Sequence, residues 1–297
     1  MARRPAVCDV IAVFGPTASG KSRIAQALAD ELGSEVVSAD AMQAYRGLPI
    51  LTNQPERETR LVGVWPLSHE GSVGEYQRLA HEALDDLVAH HGRAVVAGGT
   101  GLYLRAALAD IDLPPAPRSG DRVRSEREYD VDPERAYARL AEHDPRAAAR
   151  LHPNDRRRVV RALELMDAGT SLAPQEDRLW SAHTRLPSLV FGLEVTPEEL
   201  ERRIVVRTDA MFERGVVEEV RSALEGVVSK TAEKALGLRE IASLSTDDAR
   251  DRIVARTRQY AAYQRKWMRR IPGLVTLDAT RPTAEVVDAI LEVARAR

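Results

Sequence analysis

Gly15-Pro16-Thr17-Ala18-Ser19-Gly20-Lys21-Ser22 follows the apolar, β-leaning run Val10 to Phe14 and opens a helical pattern from Ser22 to Leu32 that stops at Gly33. The octet fits G-x-x-x-x-G-K-[ST] in the strand–loop–helix context that gives this pattern its meaning. Its glycines let successive backbone N–H groups turn inward around phosphate oxygens, and the helix N-terminus adds partial positive charge. Lys21 supplies a point charge, and the Ser22 hydroxyl supplies a ligand for Mg²⁺. The stretch reads as a site for a di- or triphosphate, and it leaves the reaction open.

Outward from the loop, Glu35 to Ser38 reads as a second strand, Val73 to His91 as a long amphipathic helix, and Ala94 to Ala97 as a third strand ending in Gly98-Gly99. Such alternation predicts an α/β fold, with a P-loop parallel-sheet core and helices on both faces. The pattern changes at Leu113 to Gly120, where Pro114, Pro115 and Pro117 read as a stiff linker. A charged stretch without strands follows. Within it, Asp132-Pro133 reads as an N-cap with a first-turn proline, and Asn154 or Asp155 can cap a helix reaching Ala168. Leu189 to Val195 returns to strand. Helices over Pro197 to Arg214 and Asp247 to Arg270 precede a last strand, Leu274 to Leu277, and a terminal helix. The expected domains are a core over 1–120, an inserted helical domain over 121–185, and the rest of the core over 186–297.

Kinases and NTPases that use a phosphate loop need a second acid at a strand end. The strand Ala94 to Ala97 runs into Gly98-Gly99-Thr100-Gly101, which has no carboxylate, whereas Glu35 to Ser38 leads to Asp40. Both strand ends open onto one crevice in such a sheet, so Asp40 is expected near the phosphates, with capping of the next segment as its plainer role. The single cysteine, Cys8, excludes a disulfide framework, and the seven histidines include no pair at metal spacing. The basic start, Met1 to Pro5, precedes an apolar run too short for a signal peptide or a membrane span, so a cytoplasmic protein with no membrane partner is expected. The net charge of −2 averages unlike parts: residues 146–161 hold six arginines against one aspartate, and 250–270 hold eight arginines and lysines against one. Local basic surface of this kind is what contact with nucleic-acid phosphates requires.

GPTASGKS at 15–22, SADAMQAYRGLPI at 38–50, GGTGLYLRA at 98–106 and PNDRRRVVRALE at 153–164 together resemble the tRNA dimethylallyltransferase (tRNA isopentenyltransferase) family. RGVVEEVRSAL at 214–224, KALGLRE at 234–240 and TRQYAAYQRKWMRR at 257–270 extend the resemblance over nearly the whole chain. It implies transfer of a dimethylallyl group from dimethylallyl diphosphate to the exocyclic amine of the adenosine 3′-adjacent to the anticodon. The expected partners are the tRNA anticodon stem-loop and dimethylallyl diphosphate, the cofactor is Mg²⁺, and the chain is expected to act as a monomer. In that frame Asp40 is the catalytic carboxylate that takes the amine proton, Lys21 and the loop Gly15 to Ser22 hold the diphosphate, Ser22 meets the metal, and Thr100 lines the channel. Arg207 either reaches the same diphosphate or is one more solvated arginine on its helix. The resemblance assigns tRNA contacts to Asp40, Ala41, Met42, Gln43 and Thr100, to Arg124, Arg157, Arg158, Val159, Val160 and Arg161, and to Lys234, Gly237 and Arg239. Gln43 matches a reader of the flipped base. Thr100 is also expected to cap the helix from Leu102, and Tyr260, Tyr263 and Trp267 to form a stripe packed on the core.

This sequence departs from the family pattern at Ala41 (usually Ser), at Leu51-Thr52-Asn53-Gln54-Pro55 (G-T-A-K-P), at Arg156 (Pro), and in lacking a His-His pair across Leu61 to Trp65. Three other readings remain open: an adenylate isopentenyltransferase, a small-molecule P-loop kinase, and an RNA-binding module with a relic loop. The first has little use for an arginine-rich insertion.

Overall fold

The structure, a computed structural model, describes residues 8–113, 120–173 and 178–296. The prolines of the expected linker and the basic N-terminal residues lie outside them. In chain order the elements are β1 (Val10–Phe14), α1 (Lys21–Leu32), β2 (Val36–Ser38), α2 (Val73–His91), β3 (Ala94–Gly98) and α3 (Gly101–Leu108). Next come α4 (Asp121–Val131), α5 (Pro133–His143), α6 (Pro145–Ala148) and α7 (Arg156–Asp167). The chain ends with β4 (Ser188–Glu194), α8 (Pro197–Glu213), α9 (Val216–Leu224), α10 (Leu238–Ser243), α11 (Thr246–Met268), β5 (Val275–Asp278) and α12 (Thr283–Ala296). The described chain divides into two compact units, Met1–Asp110 with Leu179–Arg297, and Ile111–Arg178. Both boundaries lie earlier in the chain than the expected 120 and 185, and the second does so because Arg105 holds the returning chain. This buried guanidinium donates to the carbonyls of Leu179, Ser181 and His183 at 2.8, 3.0 and 3.3 Å, fixing residues 179–183 to the first unit.

All five strands are parallel, in the order β2-β3-β1-β4-β5, with β1 central; Val10 pairs with Ala94 on one side and Ser188 on the other. Side chains alternate across the sheet. Ile11, Val13, Val95, Phe191 and Leu193 pack with α1 and α12 through Leu28 and Ile290. Val10, Ala12, Phe14 and Val96 point the other way and are buried as well, so both faces are covered, as a parallel sheet requires. Burying a side chain such as Leu28 or Ile290 contributes about 1.5–3 kcal/mol. The parallel register puts the C-terminal ends of β1, β2 and β3 together. Their loops touch: the Ala39 N–H donates to Ala97 O at 2.7 Å, and a Cβ on Gly98 would collide with the Ala39 carbonyl.

The second unit is a small helical bundle around Tyr129, Ala136, Leu140, Val159, Val160 and Leu163. α5, α6 and α7 start on aspartates: Asp132, Asp144 and Asp155 accept from the backbone N–H groups of Arg135, Ala147 and Arg158 at 3.0, 3.0 and 3.2 Å. Asp155, not Asn154, caps α7.

Candidate active site

The three loop ends form one wall of a cavity of about 1060 Å³, whose lining residues all belong to the first unit. In the phosphate loop, Ala18 and Gly20 have positive φ (64° and 91°), which turns the backbone before α1. Thr17, Ala18, Gly20, Lys21 and Ser22 line the cavity, while Gly15, Pro16 and Ser19 are buried behind it. Lys21 Nζ donates to the Pro16 carbonyl at 2.8 Å. Burial pushes its pKa down to about 8, with Asp40 opposing that shift and Arg207 adding to it. Arg207, on α8, donates to the Thr17 hydroxyl and is itself pushed down by burial, against the pull of Asp40. It therefore stands on the phosphate loop rather than on a solvated face.

Asp40 lines the same cavity and also caps the segment after it, because Oδ1 accepts from Met42 N–H at 3.0 Å and Gln43 N–H at 3.4 Å. Of the two roles expected for it, the capping one is present in the geometry, and its place in the cavity beside the phosphate loop is where the other would act. The other carboxylate lining the cavity, Glu199, is gripped by Arg202 and Arg203 at 2.8 and 2.6 Å, and those bonds pull its pKa down to about 2. Tyr260 also faces this space; burial, then the Asp40 charge, raises its phenol above the ordinary tyrosine range. Among the described lining residues, Asp40 is left as the carboxylate free of ion pairs.

Thr100 begins α3 without a side-chain cap bond. Its Oγ1 accepts from Ala41 N–H at 3.4 Å and shares a hydrogen bond with Tyr260 Oη at 3.3 Å, which corrects the expected capping role. Ala41, Met42 and Gln43 line the cavity, but the Gln43 amide is engaged: Oε1 accepts from the Ser38 hydroxyl at 3.0 Å and Nε2 donates to Asn53 O at 2.8 Å. The segment supplying that carbonyl is tied down by Glu219, whose two oxygens accept Ile50 and Leu51 N–H at 2.7 and 2.8 Å. Gln54, where the family has lysine, donates to the Tyr45 carbonyl at 2.7 Å.

The expected nucleic-acid contacts divide. Lys234 lines the cavity, and Arg239 is exposed, paired with Glu233 at 3.2 Å. Gly237 is buried with φ 102°, its N–H donates to Glu240, and a Cβ there would press on Leu51. Its visible part in this structure is conformational. The side chains of Val159 and Val160 fill the helical unit's own core. Arg161 turns to the buried Glu164 at 3.0 Å. Arg157 and Arg158 are exposed, and Arg124 is exposed while paired with Asp121 and Asp167. The aromatic stripe splits as well: Tyr260 faces the cavity, Tyr263 is 54% exposed, and Trp267 stacks on Trp180 at 4.8 Å.

Sequence reasoning passed over Gln264. It is buried on α11, with Oε1 accepting Thr17 N–H at 2.7 Å and Nε2 donating to Gly99 O at 2.9 Å. Its one signal was its place four residues after Tyr260, on the same helix face.

Seven cationic side chains line the cavity (Lys21, Arg23, Arg202, Arg203, Arg207, Lys234 and Arg256), together with Met42, Leu51, Ile204, Met211 and Ile253. That composition suits a ligand with a polyanionic head and a short apolar part. Fold and site define a P-loop α/β protein built for group transfer from a phosphorylated donor. The sequence matches the family described as IPP transferase over residues 43–271 and that described as isopentenyl transferase over residues 8–62. It is 38% identical over 291 residues to a tRNA dimethylallyltransferase of Streptomyces coelicolor, covering 92% of this chain and 91% of that one. Among solved structures it is similar to a eukaryotic dimethylallyltransferase acting on tRNA (25% identity, TM-score 0.78, 98% and 80% of the two chains). It is also similar to the tRNA isopentenylpyrophosphate transferase of Bacillus halodurans (27%, TM-score 0.68, 97% of each chain). The chain belongs to the IPP transferase family.

Proposed function

We propose that this protein is a tRNA dimethylallyltransferase. It moves a dimethylallyl group from dimethylallyl diphosphate to the exocyclic amine of the adenosine 3′-adjacent to the anticodon, and releases diphosphate. The observation that carries the reading is the meeting of Lys21, Arg207 and Asp40 in one partly apolar cavity, in a chain of this family. The C–O bond of the donor breaks with its electron pair leaving on diphosphate, which Lys21, Arg207 and the loop amides stabilise. The adenine amine supplies the lone pair for the new C–N bond, and its proton passes to Asp40. An adenosine in an anticodon loop must leave its stack to be reached, at a cost of a few kcal/mol. Exposed arginines of the helical unit, Arg157 and Arg158 among them, are suited to offset that cost on the RNA backbone.

Mg²⁺ fits the donors present. The Ser22 hydroxyl lines the cavity beside Lys21, at the start of the helix that the phosphate loop opens. A single hydroxyl suits an ion that keeps most of its waters and takes substrate phosphate oxygens, not one caged by protein. Bound there, Mg²⁺ neutralises diphosphate charge. The proposal extends to action as a monomer, and to the cytoplasm, where a tRNA substrate is met. No helix among the described residues is long and apolar enough to cross a membrane.

The test is incubation with labelled dimethylallyl diphosphate and Mg²⁺, offering unmodified tRNA, free AMP or no acceptor. Label should enter tRNA. Label entering AMP and not tRNA would overturn the reading in favour of a free-nucleotide acceptor.

A further inference from the structure

Gln264 joins two loops that follow different strands. Its Oε1 accepts from Thr17 in the phosphate loop after β1, and its Nε2 donates to Gly99 in the loop after β3. The amide is almost wholly buried, and a Cβ on Gly99 would collide with Nε2, so glycine at 99 leaves the room this bond needs. One turn earlier on the same face, Tyr260 bonds to Thr100, the neighbour of Gly99. Removing a buried partner of this kind leaves both the Thr17 N–H and the Gly99 carbonyl unpaired, which is costly and frees the loops to shift.

We propose that Gln264 is a positioning residue, setting the distance between the loop that holds the donor's diphosphate and the loop that carries Thr100 beside the acceptor. The inference rests on the prenyl-transfer reading above. In that reaction the allylic carbon must sit within reach of the amine as its bond to diphosphate breaks. A misplacement of about 1 Å costs on the order of 100-fold in rate. It also lets water reach the allylic carbon. Water's oxygen then forms the new C–O bond, loses a proton to solvent, and gives dimethylallyl alcohol and diphosphate in place of prenylated tRNA. The signature of the clamp is therefore a changed partition between two products as well as a slower rate.

The experiment uses the full chain with Gln264→Met, which keeps the side-chain length and removes both hydrogen bonds, and Gln264→Glu, which keeps the acceptor and removes the donor. For Gln264→Met, kcat should fall about 10- to 100-fold, with KM for tRNA within about twofold, as expected for lost alignment. The ratio of dimethylallyl alcohol to prenylated tRNA should rise several-fold, with Gln264→Glu between it and the wild type. Hydrogen exchange should quicken in peptides covering 15–20 and 98–104 and stay unchanged over 121–131. A wild-type partition with unaltered exchange at both loops, in either variant, overturns the proposal, even where kcat falls. If the unaltered protein prenylates no tRNA, the functional reading fails by itself, and the exchange at the two loops alone decides the clamp.

Discussion

The cavity wall and the helical unit both carry many cations, yet they hold them in different ways. Around the cavity, backbone geometry fixes the positions: positive φ at Ala18 and Gly20 aims the loop, and Lys21 and Arg207 are anchored on Pro16 and Thr17. In the helical unit the arginines stand on helix faces, and carboxylates from elsewhere in that unit already meet several of them. Arg156 grips Asp130 at 2.7 and 2.6 Å, and Arg139 bridges Glu128 and Asp167. A preorganised site with little water acts through a few residues with large effects, whereas a solvated surface acts through many with small, salt-screened ones. The contrast implies that single substitutions will separate chemistry from tRNA binding.

The sharpest separation is expected at Asp40. Asp40→Asn keeps an oxygen to accept from the Met42 N–H but cannot take the amine proton, so turnover should fall about 10²–10⁴-fold. Single-turnover assays beside tRNA binding read the split. Equal loss of both would make Asp40 a scaffold residue and erase the contrast. Lys21→Met comes next: loss of charge on the departing diphosphate should lower kcat/KM about 10²–10³-fold with tRNA affinity unchanged.

Lys21 also predicts a pH effect. Its pKa near 8 in the fold means that its charged fraction falls from about nine-tenths at pH 7 to about one-tenth at pH 9. KM for the donor should rise roughly tenfold over that range in the wild type and stay flat in Lys21→Met. The sign for stability is the opposite. The unfolded lysine holds its proton up to its ordinary 10.5, so between about 8 and 10.5 the unfolded chain binds more protons, and this group's contribution to stability rises with pH. A donor KM independent of pH would mean that Lys21 stays charged through contacts formed with the donor itself.

This division also explains what the sequence disclosed. The phosphate loop, Asp40 and Thr100 follow strands whose apolar runs are plain to read, and the parallel sheet then has to bring those ends together. α2 begins and ends where its amphipathic pattern puts it. What stayed hidden depended on partners far away in sequence. Nothing near Gln264 announces a bond to Thr17, 247 residues earlier, and nothing in Ile50-Leu51 announces the carboxylate of Glu219. Charge counting failed for the same reason. The basic segment 250–270 meets Asp209, Glu240 and Glu201 through Arg250, Arg256 and Arg258, so it presents less positive surface than its composition suggests. Val159 and Val160 sit inside an arginine-rich motif, yet α7 has a buried face, and its period turns them inward.

The smallest effects belong to the arginine run of α7, where neighbours should behave unlike one another. Arg157 is exposed and has no ion pair among the described residues, whereas Arg156 spends its guanidinium on both oxygens of Asp130. If Arg157 meets an RNA phosphate, Arg157→Ala should weaken tRNA binding several-fold and reduce the slope of log affinity against log salt by about 1. Arg156→Ala removes a cation already balanced by a carboxylate, so the salt slope should hardly move. The freed Asp130 then stands near the RNA as an unbalanced negative charge, and its repulsion should account for any loss in affinity. Arg156→Ala combined with Asp130→Ala separates the two contributions: the double variant should bind tRNA within about twofold of the wild type, as an exposed, self-contained pair adds little. A double variant as weak as Arg157→Ala would make Arg156 a phosphate contact that exchanges Asp130 for RNA on binding. The helical unit would then resemble the cavity, holding its cations in place until the substrate claims them.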